Sequence, residues 1–300
     1  MRINDQAECD NPPKFLFQNL ATMMLNKSRL ILIAVLVLLL LGACATSPTG
    51  RRQLMLVSED TAIQASAQAY VEEVGSLKKE GKLSNDRALI KRIDQVTGRL
   101  ISQAIIMRPD SKNWDWSVAV IDDPEMVNAW CMAGGRMAIF TGLIDQINPS
   151  DAELAQVMGH EIGHALANHS AEKMSVAMAS SIGVLAVGVA SDNHGAALTG
   201  AAAAAAVGIT LPNSRTAEKE ADRIGIELAA KAGYNPEAAV TLWEKMFDLD
   251  KSHPPQFLST HPNPDNRIKD LSALVPEMDA YYNPSAKHPV YPLPGQPVLN

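Results

Sequence analysis

The sequence predicts a mainly helical fold with a small β-sheet, an α+β domain, on three observations. Helical amphipathic periodicity recurs over residues 60–79 and 86–107. Short β-rich runs stand at Gln53–Val57, Trp114–Ile121 and Met137–Thr141. Ser150-Asp151-Ala152-Glu153 has the spacing of a capping box, so a further helix begins there and is expected to run to at least Ala171. With 300 residues and 47% hydrophobic content, the chain is long enough to bury a sizeable core.

Read in order, Leu30–Leu41 is a run of 12 apolar residues preceded by Lys27 and Arg29. A bilayer span needs about 20, so a basic flank, a short apolar run and the small residues after it predict a secretory signal over residues 1–43. Asp5, Glu8 and Asp10 do not suit a signal flank, which makes Met23 or Met24 a candidate true start. The run ends in Leu41-Gly42-Ala43-Cys44, which resembles the bacterial lipobox; Cys44 would then carry lipid, and Ala45 after it favours the outer membrane. An ordinary signal or anchor with an incidental cysteine is the alternative. Residues 44–52 then read as a lipidated tether, 53–275 as the folded domain and 276–300 as a Pro-rich tail expected to be unstructured.

Ser58 and Ser84-Asn85 offer caps for the first two helices. From Val176 to Thr210 the chain is mostly Ala, Gly and Val, broken by a polar turn at 191–194, and predicts two close-packed helices, with a membrane-spanning hairpin as the alternative. Ser214 opens a helix holding Glu218, Glu220 and Asp222; Asn235-Pro236 opens another, and residues 265–274 form a short last one. Of three cysteines, Cys9 would leave with the signal and Cys44 would be acylated, leaving Cys131 without a partner. With 33 acidic against 26 basic residues and no basic block, nucleic acid is a poor partner.

The chemistry lies in His160-Glu161-Ile162-Gly163-His164. On a helix, residues four apart share a face, so both imidazoles can meet one metal ion. Beside them Glu161 can take a proton from an attacking water and return it to a leaving amine. Two imidazoles and a carboxylate suit zinc, one per chain, with a position left open. The bland alternative is two surface histidines. For the third ligand, Glu218 shares a face with Asp222, which can hold a ligand histidine from behind. Glu220 points away from that face and reads as a solvated acid, though it stays an alternative ligand; His169, five residues past His164, is expected off the ligand face.

Several pieces extend the pattern: Gly50-Arg51-Arg52-Gln53-Leu54, Asn128-Ala129, Gly134-Gly135, Thr141-Gly142-Leu143, Glu218 to Asp222, Gly233-Tyr234-Asn235-Pro236 and Ser259-Thr260-His261-Pro262. Together with the histidine motif they resemble the gluzincin metallopeptidases of the CAAX prenyl protease and HtpX family, in its soluble periplasmic lipoprotein branch. The resemblance implies a zincin-like metallopeptidase domain, zinc on His160, His164 and Glu218, Glu161 as general base and Asp222 behind a ligand. It also implies that His261 and Arg267 approach the site, as oxyanion donors or, for His261, as a resting cap on the metal. The region holding Asn128, Ala129, Gly134 and Gly135 would be an edge strand that pairs with an extended peptide. Here Met132-Ala133 precede the paired glycines where the family usually has a proline. The implied function is a zinc endopeptidase of the bacterial envelope, held to the membrane by lipid and degrading unfolded or misassembled envelope proteins. A non-catalytic, zinc-stabilised lipoprotein with a chaperone-like role and a metal-dependent ester or lipid hydrolase are the competitors.

Overall fold

The structure, a computed structural model, describes residues 44–190, 194–205, 211–250, 256–261 and 266–297. The signal reading of residues 1–43, the centre of the polar turn and the prolines following His261 lie outside them. The chain opens with β1 (Cys44–Thr46) paired to β2 (Arg52–Leu54). Helix α1 (Glu59–Lys79) starts where the Ser58 side chain accepts the Thr61 N–H at 3.1 Å. Helix α2 (Arg87–Met107) is capped by Asp86, which accepts from Ala88 and Leu89, rather than by Ser84-Asn85.

Three strands form the main sheet: β3 (Ser117–Ile121), β4 (Ala129–Cys131) and β5 (Arg136–Phe140), in the order β3-β5-β4. β5 runs parallel to β3 and antiparallel to β4, so β4 is an edge. Gly134 and Gly135 make the turn between β4 and β5 at φ 86° and 83°. A Cβ at Gly135 would lie 2.6 Å from the Trp116 ring, so only glycine fits there.

After α3 (Thr141–Ile147), helix α4 (Asp151–Leu166) carries the capping box in full: Glu153 N–H donates to Ser150 Oγ and Ser150 N–H to Glu153 Oε2. It stops five residues short of the expected Ala171. Asn168 adopts φ 55°, a left-handed turn, and Arg108 donates to Leu166 O and Asn168 Oδ1. Helices α5 (His169–Ala190) and α6 (His194–Ala205) follow, then α7 (Leu211–Lys231), α8 (Ala238–Asp250), α9 (Gln256–Thr260) and α10 (Arg267–Met278).

The core is the seam where α4 lies against α7, closed over by α2, α8 and the sheet. Leu154, Met158 and Ile162 of α4 are fully buried there, and each such side chain contributes about 1.5–3 kcal/mol of burial. At the seam the backbones touch: a Cβ on Gly225 would come within 2.7 Å of His160 N, and one on Gly163 within 2.9 Å of Ala221 O.

The Pro-rich tail departs from expectation. Its backbone carries no periodicity, but Tyr291 N–H donates to Gly98 O, and the Gln296 side chain bonds both backbone groups of Val120 and Ser84 O. An amide side chain can continue a sheet edge that hydrophobic patterning does not reveal. Among the described residues no helix is long and apolar enough to cross a membrane.

Candidate metal centre

Helix α4 presents His160 and His164 one turn apart, with ring centroids 4.7 Å from each other and Nε2 atoms 3.1 Å apart. Across the glycine-lined seam, α7 brings Glu218: Oε2 lies 3.4 Å from His160 Nε2 and Oε1 3.4 Å from His164 Nε2. His261, at the end of α9, adds a third imidazole, its Nδ1 3.3 Å from both His160 Nε2 and Glu218 Oε2. It stacks on Phe257 at 4.5 Å. One donor atom from each of His160, His164, Glu218 and His261 falls within 4.8 Å of the others.

Behind this set, His160 Nδ1 lies 3.0 Å from Asp222 Oδ1, and Arg267 donates to the same oxygen at 2.5 Å. Arg267 also reaches Glu218 Oε2 at 3.4 Å and stands 3.6 Å over the Trp243 ring. At 1% exposure it touches both carboxylates and lies 3.4 Å from His160 Nε2, so it approaches the site as the resemblance implies.

Glu161, next to the first histidine, is 2% exposed. Its Oε1 lies 3.3 Å from His261 Nε2 but makes no hydrogen bond. Burial raises its pKa, opposed by His261, His160 and the Cys131 backbone N–H, which brings the edge strand β4 up to this carboxylate.

The other charges divide by partner. Burial would raise the Glu218 carboxyl, but its bonds to His160 and His261 hold it well below the ordinary range. For Asp222 likewise, Arg267 and His160 outweigh burial and lower it. Burial pushes His164 well below the ordinary imidazole value. In His160, burial would lower the imidazole, but bonds to Asp222 and Glu218 overcome it and carry it up to about 9.

One sequence expectation fails here, and a second gains a partner the spacing did not show. Glu220 is not a solvated acid: it is 5% exposed and accepts hydrogen bonds from Ser47, Thr49 and Arg51, the last at 2.5 Å. His169 lies off the ligand face as expected, outside the donor set, but it backs a ligand: its Nδ1 lies 2.9 Å from His164 Nδ1 and its Nε2 3.1 Å from Glu220 Oε2. The expectation assumed an unbroken helix through Ala171, and the turn at Asn168 swings His169 back. An Asn ahead of a new run of helix formers was the available signal.

The edge residues have divided positions. Asn128 accepts Phe140 N–H through its backbone carbonyl, and its side chain accepts the Ala129 N–H. Gly134 and Gly135 are buried in the turn under Ile63 and Trp116, so their glycine character serves that turn. Cys131 is buried and free.

Imidazole nitrogens converging with one carboxylate oxygen suit zinc rather than the all-oxygen cages of calcium or magnesium. The buried, unbonded Glu161 oxygen beside them suits a hydrolytic centre. A helix bearing His160 and His164, packed across a glycine seam from a helix bearing a carboxylate, defines a zincin-like metallopeptidase domain. A profile described as peptidase family M48 matches residues 88–275, more than half of the chain, and the chain belongs to that family. Among its relatives, the mitochondrial metalloendopeptidase OMA1 of Arabidopsis thaliana is 40% identical over 157 residues, covering 52% of this chain and 31% of the relative. The OMA1 of Schizosaccharomyces pombe is 32% identical over 231 residues, 76% of this chain and 65% of the relative. The beta-barrel assembly-enhancing protease of Escherichia coli is 32% identical over 214 residues, 68% and 42%. The chain thus spans 31% to 65% of the length of these relatives.

Proposed function

We propose that this chain is a zinc-dependent endopeptidase, with His160, His164 and Glu218 holding one zinc ion and Glu161 acting as general base. The observation that carries this reading is Glu161, a buried carboxylate beside the donor set with one oxygen free of hydrogen bonds. A purely structural zinc site has no use for such a group, which counts against the chaperone-like alternative. Zinc, when bound, supplies a Lewis acid that polarises the scissile carbonyl and makes a nearby water acidic. Glu161, its pKa raised by burial, is placed to take the proton of the attacking water and pass it to the leaving amine. Asp222 and Arg267 keep the His160 ring and the Glu218 carboxylate in place.

Along β4, the bonds of Asn128 O and Met132 N to β5 turn the backbones of Ala129 and Cys131 to the open edge, where the Ala129 N–H is held by Asn128 Oδ1 and the Cys131 N–H faces Glu161, so the edge offers a peptide its carbonyls. An extended peptide joined there by backbone hydrogen bonds would lie beside Glu161, and selection would be broad. A cavity of about 300 Å³ lined by Asn128, Trp130, Met132 and Phe140 offers room for its side chains. His261, as the fourth donor, supports a resting cap on the metal over an oxyanion role. The two roles differ in sign: His261→Ala raises basal proteolysis if the ring is a cap, and lowers turnover by about 100- to 1,000-fold if it is an oxyanion donor.

The wider role belongs to the same proposal: a signal over residues 1–43, lipid on Cys44, and removal of misfolded or misassembled bacterial envelope proteins. The lipobox-like Leu-Gly-Ala-Cys and the kinship with a beta-barrel assembly-enhancing protease support it. Digestion of an unfolded protein by wild type and Glu161→Gln at equal zinc content tests the chemistry. Loss of cleavage with zinc retained is expected; undiminished cleavage by the variant would remove Glu161 from its role.

A further inference from the structure

We propose that His169 and Glu220 are positioning residues that set the tautomer of His164, through a proton-ordered chain anchored on the strap 47–51. The inference rests on the zinc site proposed above. The two ring nitrogens of His164 face different ways: Nε2 looks toward Glu218 and His160, while Nδ1 lies 2.9 Å from Nδ1 of His169. Between two facing imidazole nitrogens there is room for one proton only, so one ring must donate and the other accept.

The far end decides which. Glu220 takes hydrogen bonds from the hydroxyls of Ser47 and Thr49 and from Arg51 Nε, all donors, and is itself buried. A carboxylate so occupied is an acceptor, and His169 Nε2, 3.1 Å from it, therefore carries a proton. In a neutral His169 the other nitrogen, Nδ1, is then bare and accepts. His164 must donate from its own Nδ1, which leaves the Nε2 lone pair facing the metal donors.

His160 reaches the same state in one step, its Nδ1 meeting Asp222 directly. His164 needs two, because among the described residues no carboxylate bonds its Nδ1; His169 is the spacer that brings one within reach. The anchoring continues outward, since Arg51 also pairs with Glu172 through both terminal nitrogens, at 2.7 and 2.5 Å, and Gln53 bonds Glu172 and Ala167 O. The strap between β1 and β2 is thereby tied to the ligand helix.

Zinc affinity, measured by competition with a chromogenic chelator on the full chain, separates positioning from packing. His169→Phe keeps a buried ring but no acceptor, and its zinc Kd is expected to rise roughly 10- to 100-fold. His169→Asn places an amide oxygen near the former Nδ1 and is expected to bind zinc within a few-fold of wild type, although it too loses the contact with Glu220. Equal zinc affinity in the Phe variant, or an Asn variant as weak as Phe, would overturn the proposal. Nitrogen-15 NMR of the zinc-loaded wild type needs no variant to fold: His164 should show a protonated Nδ1 and a metal-bound Nε2, and the reverse assignment overturns the chain. A wild type that takes up no zinc would instead sink the metal-site reading beneath it.

Discussion

The α4–α7 pair and the α5–α6 pair are both rich in glycine and alanine, yet they use these small residues in opposite ways. At the first seam a Cβ on Gly159, Gly163 or Gly225 would meet backbone atoms of the facing helix below 3.0 Å. On α5 and α6, a Cβ on Gly183, Gly195 or Gly200 would meet nothing within 4 Å among the described residues. The first pair spends its glycines on approach, which is how Glu218 on α7 comes within 3.4 Å of both histidines on α4. The second pair leaves Met174, Met178, Ile182 and Leu185 in a stripe facing solvent, the last at 62% exposure. Small residues in a helix therefore carry no meaning by composition; what faces them decides whether they bring two backbones together or merely weaken a helix.

Two isoleucines test the contrast most strongly. Ile162 on α4 is fully buried and Ile182 on α5 is 48% exposed. Ile162→Ala is expected to cost about 2–5 kcal/mol of unfolding free energy, whereas Ile182→Ala should stay within about 0.5 kcal/mol. Denaturant midpoints of the two variants measure this, and equal losses would mean that the stripe is covered in solution. Next in size is Gly225→Ala, whose methyl would press on His160 N at 2.7 Å and on Gly159 C at 2.9 Å. Rigid backbone cannot step aside, so about 1–3 kcal/mol is expected to be lost. Because the helices must part, zinc affinity should fall with stability. Unchanged zinc affinity would show that α4 and α7 can slide without moving the ligands.

The ligand seam was legible because its signals are local and periodic. Ser150 and Glu153 announce the start of α4, His160 and His164 share a face by spacing, and Glu218 and Asp222 do the same on α7. What escaped depends on where a period breaks. Extending α4 through Asn168 hid the contact of His169 with the back of the His164 ring, and Glu220, two residues from Glu218, faces another partner altogether, a strap some 170 residues earlier in the chain. No spacing rule reaches that far, since the contact exists only once α7 has docked. The same holds for Gln296 on Val120, a single amide in a Pro-rich tail whose value lies in the sheet edge it meets. The strap Gly50-Arg51-Arg52-Gln53-Leu54 stood out only by resemblance, and its chemistry emerges from Glu172 and Glu220.

The smallest expected effect has the opposite sign. Gly200 lies inside α6 with no atom of the described residues near the place a Cβ would occupy. Alanine there removes the backbone entropy that glycine costs a helix and adds no clash, so α6 should gain about 0.5–1 kcal/mol. Global unfolding is a poor gauge, because a peripheral helix can open before the core does. Hydrogen exchange of the α6 amides is the better measure: protection should rise in Gly200→Ala by about the same free energy, while amides of α4 and α7 stay as in wild type. Loss of protection in α6 would mean that Gly200 is a point of close approach after all, as Gly225 is. The two helix pairs would then differ in their partners and not in their use of small residues.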